Sequence, residues 1–200
     1  MAASGSPADQ VSDAARWWRA YALAENDQAD ELRELAAGGD DHARRQLASW
    51  LSDRARTEEA IEVIRSLADA GDDVAELWLA RWLADGDHLD ELRQRAAAGG
   101  YHALQELAKR LAERNMVGEL RDLAVAADPG DRLLILRAAR DACSAGMDVT
   151  RVCSDLGDEA ARHGLIRWLA RNGHLDELRQ RAASGDEYAQ HWLGEALSQS

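Results

Sequence analysis

Apolar residues recur along the chain in short stripes that are separated by glycine-centred turns. Alanine or leucine stands four, eight and twelve residues after each of five glycines, and residues four apart share one face of an α-helix. These glycines are Gly39, Gly71, Gly99, Gly157 and Gly185. A second apolar stripe precedes each glycine, as at Leu89, Leu92 and Ala96. The pattern predicts a repeated unit of one helix (helix A), a turn and a second helix (helix B).

The turn residues agree with this unit. Glycine suits the left-handed residue that ends helix A, and an aspartate after it suits the N-cap of helix B. Four units carry this aspartate: Asp40, Asp72, Asp158 and Asp186. In the fourth unit Asp128 and Pro129 suit the N-cap and first position of helix B. Its apolar run, Leu133 to Leu136, falls outside the four-residue register, so we expect the extra residues of the array there.

One long segment is repeated almost unchanged. Residues 81–100 recur as residues 167–186, with 15 of 20 positions identical. The offset of 86 residues fits three units of about 28 residues with a small insertion. One arginine marks helix A of each unit: Arg33, Arg65, Arg93, Arg121, Arg151 and Arg179.

These observations predict an all-α fold, a right-handed α-solenoid of stacked helix-turn-helix repeats with about 13 helices. Residues 1–10 are expected to be a disordered lead-in, and residues 11–198 a single helical-repeat domain. Within it we expect a lone helix at 11–25 followed by six two-helix repeats. Because one unit is too small to bury its own apolar face, neighbouring units complete the core.

The last unit carries a recognisable pattern. Residues 182–194 read Ala-Ala-Ser-Gly-Asp-Glu-Tyr-Ala-Gln-His-Trp-Leu-Gly. With one residue fewer before the glycine, this resembles the Ala-Ala-x-x-Gly-Asp-x-x-Ala-x-x-x-Leu-Gly pattern of Sel1-like repeats. Over about Arg16 to Leu197 the chain is similar to Sel1-like and tetratricopeptide-type helical repeats, although its units are shorter than the usual length of about 34 residues. The resemblance implies a protein–protein adaptor.

Charge and composition narrow the range of partners. The formal net charge is −13, which disfavours nucleic acid and anionic membranes as partners. No apolar run approaches the roughly 20 residues that span a bilayer, and the first ten residues lack the pattern of a signal peptide. We therefore expect a cytoplasmic protein, and its Arg-, Ala- and Asp-rich composition is typical of GC-rich bacteria.

Tryptophans recur at equivalent places on helix B. Trp50, Trp82 and Trp168 stand eleven residues after the turn glycine, and Trp78 and Trp192 stand seven after it. Because tryptophan is enriched at binding hot spots, a row of these rings could bind a peptide or an apolar small molecule. The simpler interpretation is packing at the edge of the core. Two further tryptophans, Trp17 and Trp18, are expected to cover the open N-terminal end of the core.

The arginines of helix A form the second candidate site, represented by Arg93, Arg121 and Arg179. A row of guanidinium groups could bind a carboxylate-rich peptide. The simpler interpretation is ion pairing with acids in the first turn of the same helices, such as Asp90 and Asp176.

Motifs for metal, cofactor or catalysis are absent from the sequence. His88 and His174 occupy equivalent turns, and Cys143, Cys153 and His163 lack the spacing of a metal site. Phosphate-binding loops and nucleophile elbows are missing as well. We therefore expect no metal, no cofactor and no enzymatic activity.

The sequence thus favours a non-catalytic scaffold that binds a protein or peptide partner along a groove. The alternative is a protein that sequesters a small apolar ligand in a tryptophan-lined cavity. Because the last stripe reaches Leu197 without a polar capping helix after it, a homodimer through the ends of the array is also possible.

Overall fold

The computed structural model describes residues 7–142 and 146–198. These residues form thirteen α-helices and no strand, which confirms the prediction of an all-α fold with about 13 helices. The leading helix is α1 (Pro7–Glu25). The A helices are α2 (Ala29–Ala37), α4 (Thr57–Asp69), α6 (Leu89–Ala97), α8 (Val117–Ala126), α10 (Met147–Asp155) and α12 (Leu175–Ala183). The B helices are α3 (Asp41–Ser52), α5 (Asp73–Asp85), α7 (Tyr101–Glu113), α9 (Pro129–Ala142), α11 (Glu159–Arg171) and α13 (Glu187–Ser198).

The helices group into two compact units, Met1–Ala103 and Leu104–Ser200. In the first unit α3 packs on both α1 and α2, and in the second α13 packs on both α11 and α12. Within each unit a helix B therefore packs on its own helix A and on the helix before that pair, as expected of stacked repeats. The single domain over 11–198 and the right-handed path of the solenoid stay predictions.

The A–B turns have the predicted chemistry. All five turn glycines have positive φ, between 87° and 99°, a region that residues with a Cβ rarely adopt. All four predicted aspartate caps are present. Each carboxylate accepts a hydrogen bond from the backbone N–H three residues later, at 2.7–3.0 Å. The turn glycine and the capping aspartate therefore determine where helix A ends and helix B begins, and both can be identified from the sequence.

The B–A turns use a less recognisable signal. In the described B–A turns the left-handed residue is Gly173 in one case and Asp27, Ala55, Asp87 or Asn115 in the others, whose φ lies between 53° and 65°. Aspartate and asparagine tolerate this region better than alanine does. The position is therefore set by the packing of the two helices as well as by residue type.

The predicted stripes form the core. On α5, Ala75, Leu79 and Leu83 are each 0% exposed. The last repeat departs from this rule, because Leu197 on α13 is 51% exposed whereas Leu169, at the same place on α11, is fully buried. An apolar surface therefore lies open on α13.

The fourth repeat keeps the register that the sequence pattern obscured. Asp128 caps α9 by accepting from the backbone N–H groups of Gly130 and Asp131. Counted from this cap, Ile135 and Ala139 fill the second and third stripe positions, and both are fully buried. The expectation that this unit leaves the register was wrong, because the cap and not the missing glycine sets where helix B begins. In the sequence its extra residues therefore come after the third stripe position, Ala139.

The leading helix begins earlier than predicted. It starts at Pro7 instead of residue 11, because proline has a fixed φ and no N–H and so suits the first helical position. The rest of the predicted disordered lead-in, residues 1–6, lies outside the described residues. Trp17 and Trp18 are 37% and 61% exposed, so they cover the end of the core only in part. None of the described helices is long and apolar enough to cross a membrane.

Candidate interaction surface

The predicted tryptophans of the first unit are half-buried and held by their own neighbours. The Trp50 indole N–H donates to Asp27 Oδ1 at 3.0 Å, and the Arg54 guanidinium lies 4.1 Å from the centroid of the Trp50 ring. Trp78 and Trp82 lie one turn apart on α5 with ring centroids 5.8 Å apart. One ring face of Trp50 is therefore already covered by a cation.

The tryptophans of the second unit are also half-buried. Trp168 stacks on His174, with ring centroids 4.7 Å apart and an interplanar angle of 16°. Trp168 and Trp192 both pack against the core cluster around Leu165 and Leu178. Packing at the edge of the core accounts for both residues.

Two of the three predicted arginines pair with an acid in their own helix. Arg93 donates to Asp90 Oδ1 and Arg179 donates to Asp176 Oδ1, both at 2.8 Å. These are the contacts that the simpler interpretation predicted. Asp90 and Asp176 side chains remain 96% and 100% exposed, so the pairs lie on the surface.

The third predicted arginine, Arg121, contacts the next A helix instead. Its Nη2 lies 3.9 Å from Asp155 Oδ2, an ion pair between α8 and α10. Asp155 also accepts a hydrogen bond from Arg181 on α12 at 2.9 Å. Arginines of helix A therefore join neighbouring repeats as well as residues of one helix.

Four charged residues on α4 and α6 form what we call the first charge network: Arg65, Asp69, Glu91 and Arg95. Arg65 donates to both Glu91 oxygens at 3.1 Å, in a bidentate pair across 26 residues of sequence. Arg95 completes the ring, because it bonds Glu91 at 3.1 Å and lies 2.9 Å from Asp69. Bidentate guanidinium–carboxylate pairs are the most directional ion pairs in proteins.

The same arrangement recurs 86 residues later on α10 and α12. This second charge network consists of Arg151, Asp155, Glu177 and Arg181. Arg151 donates to Glu177 at 3.1–3.3 Å. Arg181 bonds Glu177 at 3.4 Å and Asp155 at 2.9 Å. Each unit therefore contains one copy of the network, between two consecutive A helices.

The pKa values of the central carboxyls reflect these contacts. Burial opposes ionisation of Glu91, but hydrogen bonds from Arg65 and Arg95 outweigh it and hold the pKa of Glu91 below its usual value. Burial likewise opposes ionisation of Glu177, and the pKa of Glu177 is lowered by Arg151 and Arg181. Both carboxyls are therefore ionised acceptors at neutral pH.

Two positions of the networks have no counterpart in the other repeats. Aspartate stands four residues after the helix A arginine only at Asp69 and Asp155, and arginine stands two residues after it only at Arg95 and Arg181. The acid is always in the repeat before the one with the extra arginine. The sequence contains this pairing of positions, but only the structure shows that the two residues contact each other across neighbouring repeats.

The second charge network forms one wall of an open groove between α10 and α12. The groove has a volume of about 690 Å³, and Asp176, Gln180 and Ser184 complete its lining. Three carboxylates and two guanidiniums line it in total, so its formal charge is negative. This is a polar surface recess of a size that could receive a short peptide segment.

His88, His174 and Cys153 each contact a neighbouring residue of the chain. His88 Nε2 lies 2.9 Å from Glu58 Oε1, and His174 stacks on Trp168. Cys153 is buried, and its Sγ donates to the Leu136 carbonyl at 3.7 Å. Cys143 lies outside the described residues. Within residues 7–142 and 146–198 no group of His, Cys, Asp or Glu is arranged to hold a metal ion.

A second set of contacts between repeats was not predicted from the sequence. Arginines of one helix B approach the capping aspartate of the next, as with Arg45 and Asp72 at 3.6 Å. Arg140 lies 2.8 Å from the cap Asp158. The third repeat differs, because its cap position is Gly100 and the facing residue of the preceding helix B is Glu76. A Cβ added to Gly100 would lie 2.9 Å from Glu76 Oε1. A side chain at that cap would therefore meet a carboxylate instead of a guanidinium.

Comparison with known proteins identified no relative: no family model, no curated protein and no solved structure matches the chain.

Proposed function

We propose that the chain is a non-catalytic scaffold that binds a protein or peptide partner on the surface of its A helices. The observation that carries this proposal is the doubled charge network, with the groove that the second copy lines. A repeated arrangement of charges on two consecutive A helices gives each unit a directional recognition surface.

The distribution of charge supports the same surface. The six A helices carry fifteen Asp and Glu residues against eight arginines, whereas α1 and the six B helices together carry fourteen against thirteen cations. The charge asymmetry of the array therefore lies on helix A. Charged surfaces of one sign increase the rate of encounter with partners of opposite sign.

The state of the carboxyls supports a binding function over catalysis. A general acid or base needs a pKa near the working pH. The pKa of Glu91 and of Glu177 is instead lowered by arginine contacts. These side chains suit stable acceptors of hydrogen bonds.

The alternative of a tryptophan-lined ligand cavity has less support. Arg54 covers one face of the Trp50 ring, and His174 covers one face of Trp168. A flat apolar ligand would have to displace these contacts. Trp18 on α1 and Leu197 on α13 are both more than half exposed. A homodimer through these two helices therefore stays a prediction, which light scattering can test.

The test is selection of random displayed peptides on the full chain, followed by hydrogen exchange of the complex with the strongest binder. We expect slower exchange in α4 and α6, in α10 and α12, or in both pairs of helices. Protection confined to B helices, or failure to enrich any peptide, would contradict the proposal.

A further inference from the structure

Both arginines of the groove between α10 and α12 are engaged by neighbouring side chains of the same unit. All three guanidinium nitrogens of Arg151 donate to carboxylates of the same unit. All three nitrogens of Arg181 likewise donate to Glu177, Ser154 or Asp155. The three lining carboxylates keep acceptor sites for a ligand, because one carboxylate has about four of them.

The most accessible of these acceptors is Asp176. One of its oxygens accepts from Arg179 at 2.8 Å, and its side chain is 100% exposed. Gln180 lies exposed one turn further along α12, where it also lines the groove. A ligand rich in N–H donors complements this lining, whereas a carboxylate ligand would compete with Glu177, which the fold already holds in place.

The first unit repeats this surface. Asp90 and Gln94 occupy the corresponding places on α6, and the Asp90 side chain is 96% exposed. Core packing does not demand identity at such exposed positions, where substitutions usually change stability by less than about 0.5 kcal/mol. The pairs with Arg93 and Arg179 account for the two aspartates, but stability gives no reason for the glutamine to be the same in both copies.

The preceding repeats show how far other positions have diverged. Residues 57–72 and 143–158 are related by the same 86-residue offset, yet only five of sixteen positions are identical. Two of the five form the A–B turn, and two belong to the charge networks, as Arg65 with Arg151 and Asp69 with Asp155. Outside the turn, the network residues are most of what the two repeats still share.

We infer that each charge network, together with its exposed aspartate and glutamine, binds a cationic segment of the partner, so that one chain has two equivalent sites. This inference rests on the proposed scaffold function and names its partner chemistry: a segment rich in arginine or lysine. The formal net charge of −13 favours the encounter with such a segment.

The test is isothermal titration calorimetry of the full chain with two synthetic probes of equal length, an Arg–Gly repeat peptide and a Glu–Gly repeat peptide. We expect two Arg–Gly peptides to bind per chain and the Glu–Gly peptide not to bind. Asp176→Lys should lower the affinity of one site and Asp90→Lys that of the other. The loss should be at least about tenfold in each case, because the lysine places a like charge against the peptide. The double variant should bind neither peptide.

Glu159→Lys is the matched control. Glu159 also lies in the first turn of its helix, is 74% exposed and bonds an arginine three residues later, but it belongs to a B helix. This variant has the same change of charge and should keep both sites. Circular dichroism checks that all variants retain their helices.

The possible outcomes separate the two proposals. Binding of the Glu–Gly peptide at these sites would overturn the cationic inference and leave the scaffold function standing. A single site, or two sites that survive the double variant, would overturn the assignment to the charge networks. Equal weakening by Glu159→Lys would show that net charge alone attracts the probe, which also contradicts the inference.

Discussion

The two copies of the repeated segment, 81–100 and 167–186, share most of their sequence but differ in what their side chains contact. His88 bonds Glu58 in the first copy, and its counterpart His174 stacks on Trp168 in the second. The difference lies in the preceding repeat. Helix α4 begins one turn earlier than the other A helices relative to its arginine, and that turn carries Glu58. The residue 86 positions later is Ser144, which has no carboxylate.

The contacts of a repeat are of two kinds, those within the repeat and those with its neighbour. Contacts that are built within the repeat, such as the Arg93–Asp90 and Arg179–Asp176 pairs, are the same in both copies. Contacts with the neighbour follow the neighbour's sequence. The charge network is therefore informative, because two diverged neighbours supply the same partners to it.

The largest expected effect tests whether the two cores are equivalent. Leu92 and Leu178 occupy the same place in the two copies and are both 0% exposed. Leu92→Ala and Leu178→Ala should each lower the free energy of unfolding by about 3 kcal/mol, because each leaves a cavity. Urea denaturation followed by circular dichroism measures both. Leu197→Ala, at a half-exposed position, should cost less than about 1 kcal/mol; an equal cost at all three sites would refute this view of the core.

The next largest effect on stability is expected at the cap position of helix B, which is Gly100 in the first copy and Asp186 in the second. Gly100→Asp places a carboxylate against Glu76 and should destabilise the chain by about 1 kcal/mol. In a Glu76→Arg background the same substitution creates the arginine–cap pairing seen at Arg162 and Asp186. The loss should become smaller, with the remainder due to the Arg95 carbonyl oxygen 3.0 Å from the added Cβ. A double-mutant cycle measures this coupling. Additive effects of the two substitutions would contradict the proposed pairing.

A similar effect is expected from the centres of the charge networks. Glu91→Gln and Glu177→Gln should each cost about 1 kcal/mol at neutral pH, because two partly exposed arginines lose an ionised partner. Since the pKa of both carboxyls is lowered by folding, their contribution is present above the unfolded pKa of about 4.3. It is lost as the pH falls through the folded value.

The cost of each glutamine variant should therefore shrink below about pH 4. Urea titrations at a series of pH values measure it, with Glu159→Gln as the control for an exposed carboxylate. A cost that is independent of pH would mean that the glutamine variants act through packing instead of charge.

The smallest effect concerns the histidines. Glu58→Gln should shift the imidazole resonances of His88 and leave those of His174 unchanged, with less than about 0.5 kcal/mol of change in stability. Trp168→Leu should do the reverse through loss of the stacked ring. Equal responses of both histidines to either substitution would contradict the dependence on the neighbouring repeat.

The elements of the fold could be predicted from sequence because their signals are local. Gly71 with its positive φ and Asp72 with its capping hydrogen bond lie within one turn of the helix ends that they define. These signals were missing where an ordinary residue occupies the turn. Ala55 adopts a left-handed φ of 57° without being glycine, and the cap Asp128 sets the fourth repeat without the usual glycine before it.

The candidate site could be predicted only in part. The arginines of helix A and their acids three residues before are visible as a helical spacing. The bond from Arg65 to Glu91 spans 26 residues, and no spacing rule for a single helix contains it. The groove acceptors were therefore invisible, and the arginines alone suggested a carboxylate-rich ligand.

The most direct test is a nuclear magnetic resonance titration of the full chain with the Arg–Gly repeat peptide. The side-chain amide signals of Gln94 and Gln180 report on the two charge networks, and the indole N–H signals of Trp50, Trp82 and Trp168 report on the tryptophan alternative. Our account predicts that both glutamine signals move at matching peptide concentrations while the indole signals stay in place. Movement of the indole signals with unchanged glutamine signals would contradict it.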